Sequence, residues 1–577
     1  MKTSAGISKI LVQEDETISL LLETLSRKSF ENRQSGFVII VDKNQSATGV
    51  VTDSDIRKFA AKNLRMPDSI SEIVNRDFIW IFDDVEKNEL ARVIAKKLSA
   101  RGWSTNYPVR YIPVLTRNKV PQAIVDILDF EQEVKKYRDL YVVIGLGYVG
   151  LTLSLALADA GKQVAGVDID TEKISMLKTG SSTLFEEGLG ERLKKHIGEN
   201  IQFYTDLNVI DIQSGQSCIY FICLPTPLNE LKNSLDLSFV DNFVKQLSKK
   251  IKQGDSVVMR STVPVGTGRQ ICRAIEEELG WIVGSDFYYV EGPERTVEGN
   301  ALRELRDLPQ IIGGATEACQ EKGIEIFRDI SQVTLPLSSI ESAELVKIAG
   351  NAYRDYVFAF SNYLAEIARD FNVDVDEVIE KSNWGYARST IASPSPGVGG
   401  PCLTKDPYLF HTLSSQDSPI IRSRKYNETV PSQVIEHILK WTESRIAAVI
   451  VGIAFKGVPP TDDIRNSSNL IIAEGLKPHF SKLEVWDAVI NSSISAEEVF
   501  QRFLDNSKDI NLIAVLNNHK DNAKFVIDLV KLIEPANLTI FDPWRLLDPK
   551  FTLSQSNISA FEYLTLSKSQ KIVETSK

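Results

Sequence analysis

The chain has 577 residues, 43% hydrophobic and 25% charged, with 66 basic against 77 acidic side chains and a net charge of −11. That length exceeds one hydrophobic core and predicts roughly three to five domains of an ordinary globular protein. The acidic balance argues against broad binding to nucleic acid or an anionic membrane, while leaving room for a local basic pocket.

Residues 1–135 carry a weak internal repeat. The first half reads Ile10-Leu-Val, a helical stretch near Ile18–Ser29, the strands GFVIIV and ATGVV, then TDSDIRKFAAK. The second reads DFIWIF, a helical stretch near Glu89–Ala100, YIPVL, then PQAIVDILDF. Thr52 and Asp126 open the matching helices 74 residues apart, and each half predicts strand-helix-strand-strand-helix. Residues 136–140 (KYRDL) form a junction. Strand and helix periods then alternate to about residue 335, the pattern of a doubly wound parallel sheet. Ser339–Asn372 predicts one long helix without proline, followed by a Ser/Pro/Gly-rich loop at 388–400. A second alternating region opens with RIAAVIVGIAFK and includes LEVWD, NLIAVL and NLTIFDP. The expected domains are 1–135, 139–335, 336–440 and 441–577. No run of 18 apolar residues predicts a membrane span, and the start MKTSAGISKILVQEDE has no apolar signal region, so a cytoplasmic location is expected.

Gly145-Leu-Gly-Tyr-Val-Gly150 follows an apolar strand and opens an apolar helix ending near Gly161; Asp168 closes a second strand 23 residues after Gly145. In that context G-x-G-x-x-G predicts a dinucleotide site. Gly145 allows the tight turn, Gly147 lets backbone approach a pyrophosphate, and Gly150 lets helix and strand pack closely. The helix N-terminus offers free N–H groups and a positive dipole end to phosphate. Asp168 would bond the adenosine ribose hydroxyls and repel a 2′-phosphate, which favours NAD over NADP.

Five cysteines (Cys218, Cys223, Cys272, Cys319, Cys402) and five histidines are scattered without metal spacing, so no metal site is expected and reduced thiols are. One cysteine has a distinctive setting, in Pro396-Gly-Val-Gly-Gly-Pro-Cys-Leu-Thr-Lys-Asp-Pro407. If a helix starts at Pro401, Cys402 lies in its first turn, where the dipole and Lys405 would stabilise a thiolate, with Asp406 on the same face. On the long helix, Glu344, Lys347, Asn351 and Arg354 fall on one polar stripe suited to an oxyanion or a sugar hydroxyl. Thr262, in MRSTVPVGT, and Glu294 and Glu298, in YVEGPERTVEG, each follow a strand, where open α/β sheets bind ligands.

These elements in this order resemble the UDP-glucose/GDP-mannose dehydrogenase family over roughly 139–560, through GLGYVG, STVPVGT, GPERTVEG, AELVKIAGNAYRD, PGVGGPCLTKDP and AFKGVPPTDDIRNSS. The resemblance implies an α/β fold of two Rossmann-like doubly wound domains joined by a long central helix that also dimerises. It implies oxidation of the C6 alcohol of a nucleotide sugar to a carboxylate with two NAD. The sugar is expected to be UDP-glucose or a UDP-N-acetylhexosamine. Cys402 then resembles the nucleophile, Lys347 the stabiliser of the oxyanion and Asn351 its hydrogen-bonding partner. Thr262, Glu294 and Asp406 match residues that hold the catalytic water and move protons. Cofactor contacts are expected from Gly145, Gly147, Tyr148, Val149, Gly150, Asp168, Lys173, Thr226, Thr262, Glu298 and Lys405. Substrate contacts are expected from Glu294, Arg295, Lys347, Asn351, Arg354, Gly399, Lys456 and Arg465, with Arg388 reaching a neighbouring subunit's site. Asp542 and Arg545 lie in a similar late motif. Gly292 replaces a frequent family asparagine, and Pro401 a histidine found in many N-acetylhexosamine members; both departures bear on which sugar is used.

Residues 1–135 resemble instead a tandem CBS pair, an α+β regulatory module, most clearly in GVVTDSDIRK. The resemblance implies an adenine nucleotide held by Thr52 and Asp55, and by Asp126 and Asp129 at the same offsets in the second half.

Overall fold

The computed structural model describes residues 2–3, 7–26, 28–30, 33–34, 36–86, 89–99, 111–127, 139–212, 216–229, 234–388, 390–413, 417–503, 509–535 and 537–573. The chain divides into two compact units: residues 1–142 with 157–165 and 206–219, and residues 143–156, 166–205 and 220–577.

In the first unit the internal repeat is structural. Leu11–Gln13 pairs parallel with Phe37–Val41, which pairs antiparallel with Ala47–Thr52. Likewise Ile81–Phe82 pairs parallel with Tyr111–Leu115, which pairs antiparallel with Pro121–Asp126. Helices Ile18–Ser26 and Leu90–Ser99 supply the crossovers that parallel pairing requires. Both hairpins shift register at the same repeat position, between Ile40 and Val41 and between Val114 and Leu115. Phe37 packs against Tyr111, its own equivalent, at 6.1 Å between ring centroids. The equivalent pairs Val41/Leu115 and Val50/Ile124 join the same buried cluster. Thr52 caps helix Asp53–Asn63 in a reciprocal box with Asp55. The helix expected to Ser29 stops at Ser26, because residues 28–30 pair as a strand with Arg33–Gln34. Asp126 ends its strand; Asp129 and the helix expected there lie outside the described residues.

Residues from Leu140 to Leu337 build an eight-stranded sheet. Its order is Ile201–Tyr204, Gln163–Val167, Leu140–Ile144, Cys218–Ile222, Ser256–Met259, Tyr288–Glu291, Gln310–Gly314, Thr334–Leu337. Numbered along the chain, that is 3-2-1-4-5-6 with two strands added, the dinucleotide-binding order. The order reverses between Leu140–Ile144 and Cys218–Ile222, beside the glycine loop. The sheet is not wholly parallel, as the alternation predicted. Tyr288–Glu291 and Gln310–Gly314 run antiparallel. Their connection carries only the short helix Ala301–Asp307 and returns to the same end of the sheet instead of crossing over.

The long helix spans Ile340–Asp370, capped by the Ser339 hydroxyl, which accepts from the Ser342 N–H at 3.1 Å. A second long helix, Pro419–Trp441, packs along it. The C-terminal sheet is ordered Lys482–Trp486, Ala447–Val451, Ile510–Val515, Thr539–Phe541, Ala560–Leu564, Ser569–Val573, parallel except for its last pair. Val449 and Val451 face one apolar cluster while Ala448 and Ile450 face another. Burial on both faces explains why these strands are continuous apolar runs rather than alternating ones. Among the described residues, no helix is long and apolar enough to cross a membrane.

Candidate active site

The glycine loop has two glycines fixed by the protein and one facing open space. A Cβ on Gly145 (φ +88°) would lie 2.6 Å from the Cys223 carbonyl oxygen, and one on Gly150 would lie 1.8 Å from that of Gly145. A Cβ on Gly147 would meet nothing within 4 Å. The helix Tyr148–Asp159 starts here, with Val149 in its first turn. Asp168 accepts from the Leu146 N–H and Lys173 Nζ, both at 2.8 Å, and from the Asp170 N–H at 3.0 Å. Burial pushes its carboxyl up, but Lys173 and the backbone donors outweigh it and hold the group below its ordinary value. The Tyr148 hydroxyl donates to Asp462. Thr226 donates to the Thr262 carbonyl at 2.8 Å, which fixes the backbone after strand Ser256–Met259.

The cysteine loop departs from its expected form. The helix starts at Asp406, not Pro401; Pro407, not Pro401, occupies its first turn. Cys402 lies in the preceding turn, so the expected dipole argument for the thiolate loses its basis. Proximity to Asp406 survives, because the Cys402 carbonyl accepts from the N–H groups of Lys405 (3.1 Å) and Asp406 (3.0 Å). Cys402 is exposed, though protein surrounds it. That surrounding raises its thiol above the ordinary value, and Lys347 opposes the rise most, ahead of Lys405, while Asp406 and Glu298 add to it. Solvent access tempers the burial contribution.

The polar stripe of the long helix splits by role. Glu344 turns away to cap the helix after STVPVG, accepting from the N–H groups of Gly266 (2.6 Å) and Gly268 (2.8 Å). Asn351 Nδ2 donates to Asp406 at 2.6 Å, and Lys405 Nζ holds the other carboxylate oxygen at 2.9 Å. Asp406 is fully buried, so its orientation is fixed. Lys347 makes no hydrogen bond among the described residues, and its charge reaches both Cys402 and Glu294. Arg354 is exposed.

Glu294 is locked by the buried Arg260, with which it pairs, and by the N–H groups of Arg295 (2.7 Å) and Thr296 (2.8 Å). Burial raises its carboxyl, yet Arg260 and these donors keep it below the ordinary value. Glu298 is different. Its Oε1 takes Arg465 Nη2 at 3.3 Å, while its buried Oε2 has no partner. Burial and the neighbouring Asp463 raise it from 4.5 to about 7, against Arg465 and Lys456. Asp463 itself binds Arg465 through both oxygens. Lys456 Nζ donates to the Glu298 carbonyl at 2.7 Å, and burial lowers it to about 8. A Cβ on Gly399 would lie 2.5 Å from the Asn466 carbonyl oxygen, which presses the cysteine loop onto this same segment.

Among the residues expected from sequence, Lys347, Asn351, Cys402, Lys405, Asp406, Glu294, Glu298, Lys456 and Arg465 are thus linked by bonds or by charge. Arg295 and Arg388 are exposed, and Arg388 lies 6.0 Å over the Tyr386 ring. Arg545 pairs with Asp374 and Asp376, and the buried Asp542 accepts from the Leu547 N–H and the Tyr563 hydroxyl; both are structural. Arg260 and Asp463 were missed. Each sits within a few residues of an expected one, but the glutamate it acts on, Glu294 for Arg260 and Glu298 for Asp463, is distant in sequence.

A model of the family's NAD binding domain matches residues 140–331, and one of its central domain matches 341–428. The UDP-N-acetyl-D-mannosamine dehydrogenase of Pyrococcus horikoshii is 32% identical over 360 residues, 61% of this chain and 84% of the relative. The chain belongs to the UDP-glucose/GDP-mannose dehydrogenase family. The Methanocaldococcus jannaschii enzyme of the same name is 29% identical, covering 70% of this chain and 92% of its own. Two solved structures agree in fold. The UDP-D-ManNAc dehydrogenase of Pyrococcus horikoshii gives a TM-score of 0.62 at 27% identity, covering 71% of this chain and 96% of its own. The UDP-N-acetyl-mannosamine dehydrogenase of Staphylococcus aureus gives 0.61 at 28%, covering 74% and 98%.

As a member of this family the protein is an NAD-dependent oxidoreductase. Its residues fit the cofactor. The open space before Gly147 would let backbone approach a pyrophosphate, and Asp168, held below its ordinary value, would accept ribose hydroxyls.

Proposed function

We propose that the enzyme oxidises the C6 alcohol of UDP-N-acetyl-D-mannosamine to the carboxylate in two steps. The observation that carries the mechanism is an exposed thiol, Cys402, within reach of the charge of an ammonium, Lys347, that no acceptor among the described residues occupies. The sugar is taken from the relatives' activity, with UDP-glucose as the second reading because Pro401 replaces a histidine frequent in N-acetylhexosamine members.

Bound NAD supplies the hydride acceptor in each oxidation. After the first, Cys402 Sγ adds to the C6 aldehyde to form a thiohemiacetal, and Lys347 and Asn351 hold the developing C6 oxyanion. Loss of the second hydride leaves a thioester. Water adds to it, the thiolate leaves, and the carboxylate is released. Glu294 and Asp406 are fixed by their partners, so their work, with Thr262, is to orient the water. Glu298, titrating near 7 with one free oxygen, is the group able to take and return a proton near neutral pH. Arg295, Arg354, Lys456, Arg465 and Gly399 would receive the nucleotide diphosphate and sugar. Tyr148, Val149, Lys173, Thr226 and Lys405 would complete the cofactor site.

The long central helix supports dimerisation. Tyr353, Tyr356, Phe360, Tyr363 and Ile367, spaced three and four apart, all stand exposed along it. A second copy seated on that stripe would bring its Arg388 to the sugar site. Residues 1–135 are proposed as a tandem CBS pair whose adenine nucleotide, near Thr52, Asp55, Asp126 and Asp129, modulates the enzyme. The repeated pairing pattern and shared core positions support that reading.

The test is NADH formed per sugar consumed over a panel of UDP- and GDP-sugars, with and without ATP or AMP. Two NADH per UDP-N-acetyl-D-mannosamine, abolished by Cys402→Ala, is expected. One NADH, or undiminished turnover in the variant, refutes the thioester route.

A further inference from the structure

Three successive turns of the long helix bear on the cysteine loop, by charge, by a direct bond and through an intermediary. Lys347, Asn351 and Asp355 are four residues apart and so share one face, about 6 Å between neighbours. The first two act on the thiol and on Asp406, as described. The third acts through an intermediary. Asp355 Oδ1 accepts from Arg424 Nη1 at 2.7 Å and from Asn427 Nδ2 at 3.0 Å, both on helix Pro419–Trp441. Arg424 is 2% exposed. Arg424 also donates to the loop, Nη1 to the Leu403 carbonyl and Nη2 to the Val398 carbonyl, each at 3.3 Å, while its Nε lies 3.3 Å from Glu428 Oε1 on its own helix. Those carbonyls flank Gly399–Cys402.

A buried guanidinium is expensive unless its donors are met and its charge is paired. Here its partners are a carboxylate on the helix that carries Lys347, the exposed Glu428 on its own helix, and two carbonyls on either side of the thiol. On the loop's other side the fit is close. A Cβ on Gly397 would lie 2.5 Å from Ser468 Cβ, and the Gly400 N–H donates to the Asn466 carbonyl at 3.0 Å. The loop is therefore gripped from both sides. From the long helix, Asn362 Oδ1 accepts from the Ser395 N–H at 2.8 Å and Asn351 holds Asp406, while Arg424, tied to that helix through Asp355, holds the two carbonyls that bracket the thiol.

We infer that Arg424, anchored by Asp355, is the positioning residue that sets Cys402 Sγ against Lys347 and Asn351. This rests on Cys402 being the nucleophile, but the geometry can be tested without turnover. The pair fixes the distance over which Lys347 stabilises a thiolate and an oxyanion. Loosening it lets the sulfur drift while the fold, the cofactor site and the diphosphate contacts stay in place. Arginine is needed because a lysine ammonium cannot span the carboxylate and both carbonyls in one plane.

The test compares the full-length parent with Arg424→Lys and with the double variant Asp355→Asn/Arg424→Met, which removes both charges and so avoids an unpaired buried ion. Iodoacetamide alkylation of Cys402 is followed against pH, with Cys402→Ser as blank, alongside NAD affinity, KM and kcat. Expected are unchanged NAD affinity, KM within about threefold, and kcat lowered by about 10²-fold, the cost of a misplacement near 1 Å. The alkylation profile should move to higher pH in both variants, because the thiolate loses its ammonium. Profiles and kcat that superimpose on the parent's, even with a lower melting temperature, overturn the proposal and leave Arg424 merely structural. If no sugar is turned over by the parent, the functional reading fails, and the alkylation profiles still decide the positioning role.

Discussion

Glu298→Gln isolates a carboxyl at the candidate site that the fold raises toward neutrality. Burial and Asp463 raise Glu298 from 4.5 to about 7. A group so raised contributes stability that is complete below its unfolded value and is lost as pH rises through its folded one. Above pH 7, ionised Glu298 therefore costs about 3 kcal/mol, at 1.36 kcal/mol for each tenfold change in proton affinity. Glutamine has the same shape and carries no charge at any pH. The variant should melt level with the parent at pH 4 and above it at pH 8.5. The gap should reach about 6–12 °C at roughly 2–4 °C per kcal/mol for a domain of 150–250 residues. The assay is thermal unfolding at half-unit pH intervals for both proteins. A gap that does not change with pH, or a variant that melts lower at pH 8.5, would refute the claim that Asp463 and burial press a proton onto Glu298.

Asp168→Asn should weaken NAD by about tenfold, the scale of one charge-assisted hydrogen bond, and narrow the preference over NADP; steady-state kinetics with both cofactors checks this. If the proposed interface forms, Tyr356→Glu combined with Phe360→Glu should convert the dimer to a monomer by sedimentation, and kcat should fall with it, because that interface would supply Arg388. A dimer that persists would place the interface elsewhere.

The sequence made the glycine loop legible because its chemistry is local: strand, turn and helix lie within a few residues. The long helix was legible for the same reason, through its period and its missing prolines. Where the reading failed, the cause was distance along the chain. Glu344 shares spacing with Lys347, but two N–H groups 76 and 78 residues earlier claim it. Asp355 and Arg424, 69 residues apart, each look like a solvated helix charge until the helices pack. At the cysteine loop the rule that proline favours a helix start was sound. Two prolines flank the thiol, however, and the later one, Pro407, takes the position. The N-terminal repeat was visible only as an offset, yet equivalent residues such as Phe37 and Tyr111 prove to touch.

The long helix also constrains how this enzyme can change. Lys347, Asn351 and Asp355 work together because they are whole turns apart on one rigid rod. A single residue inserted between Asn351 and Asp355 would rotate everything beyond it by about 100° and advance it by about 1.5 Å. The helix would remain a helix, with its backbone bonds intact, while the anchor for Arg424 swung to another side. A change of length within these turns would part Lys347 and Asn351 from the anchor for Arg424. The helix's residue count is a gauge for the reaction centre, and drift in that count would end catalysis without unfolding the protein.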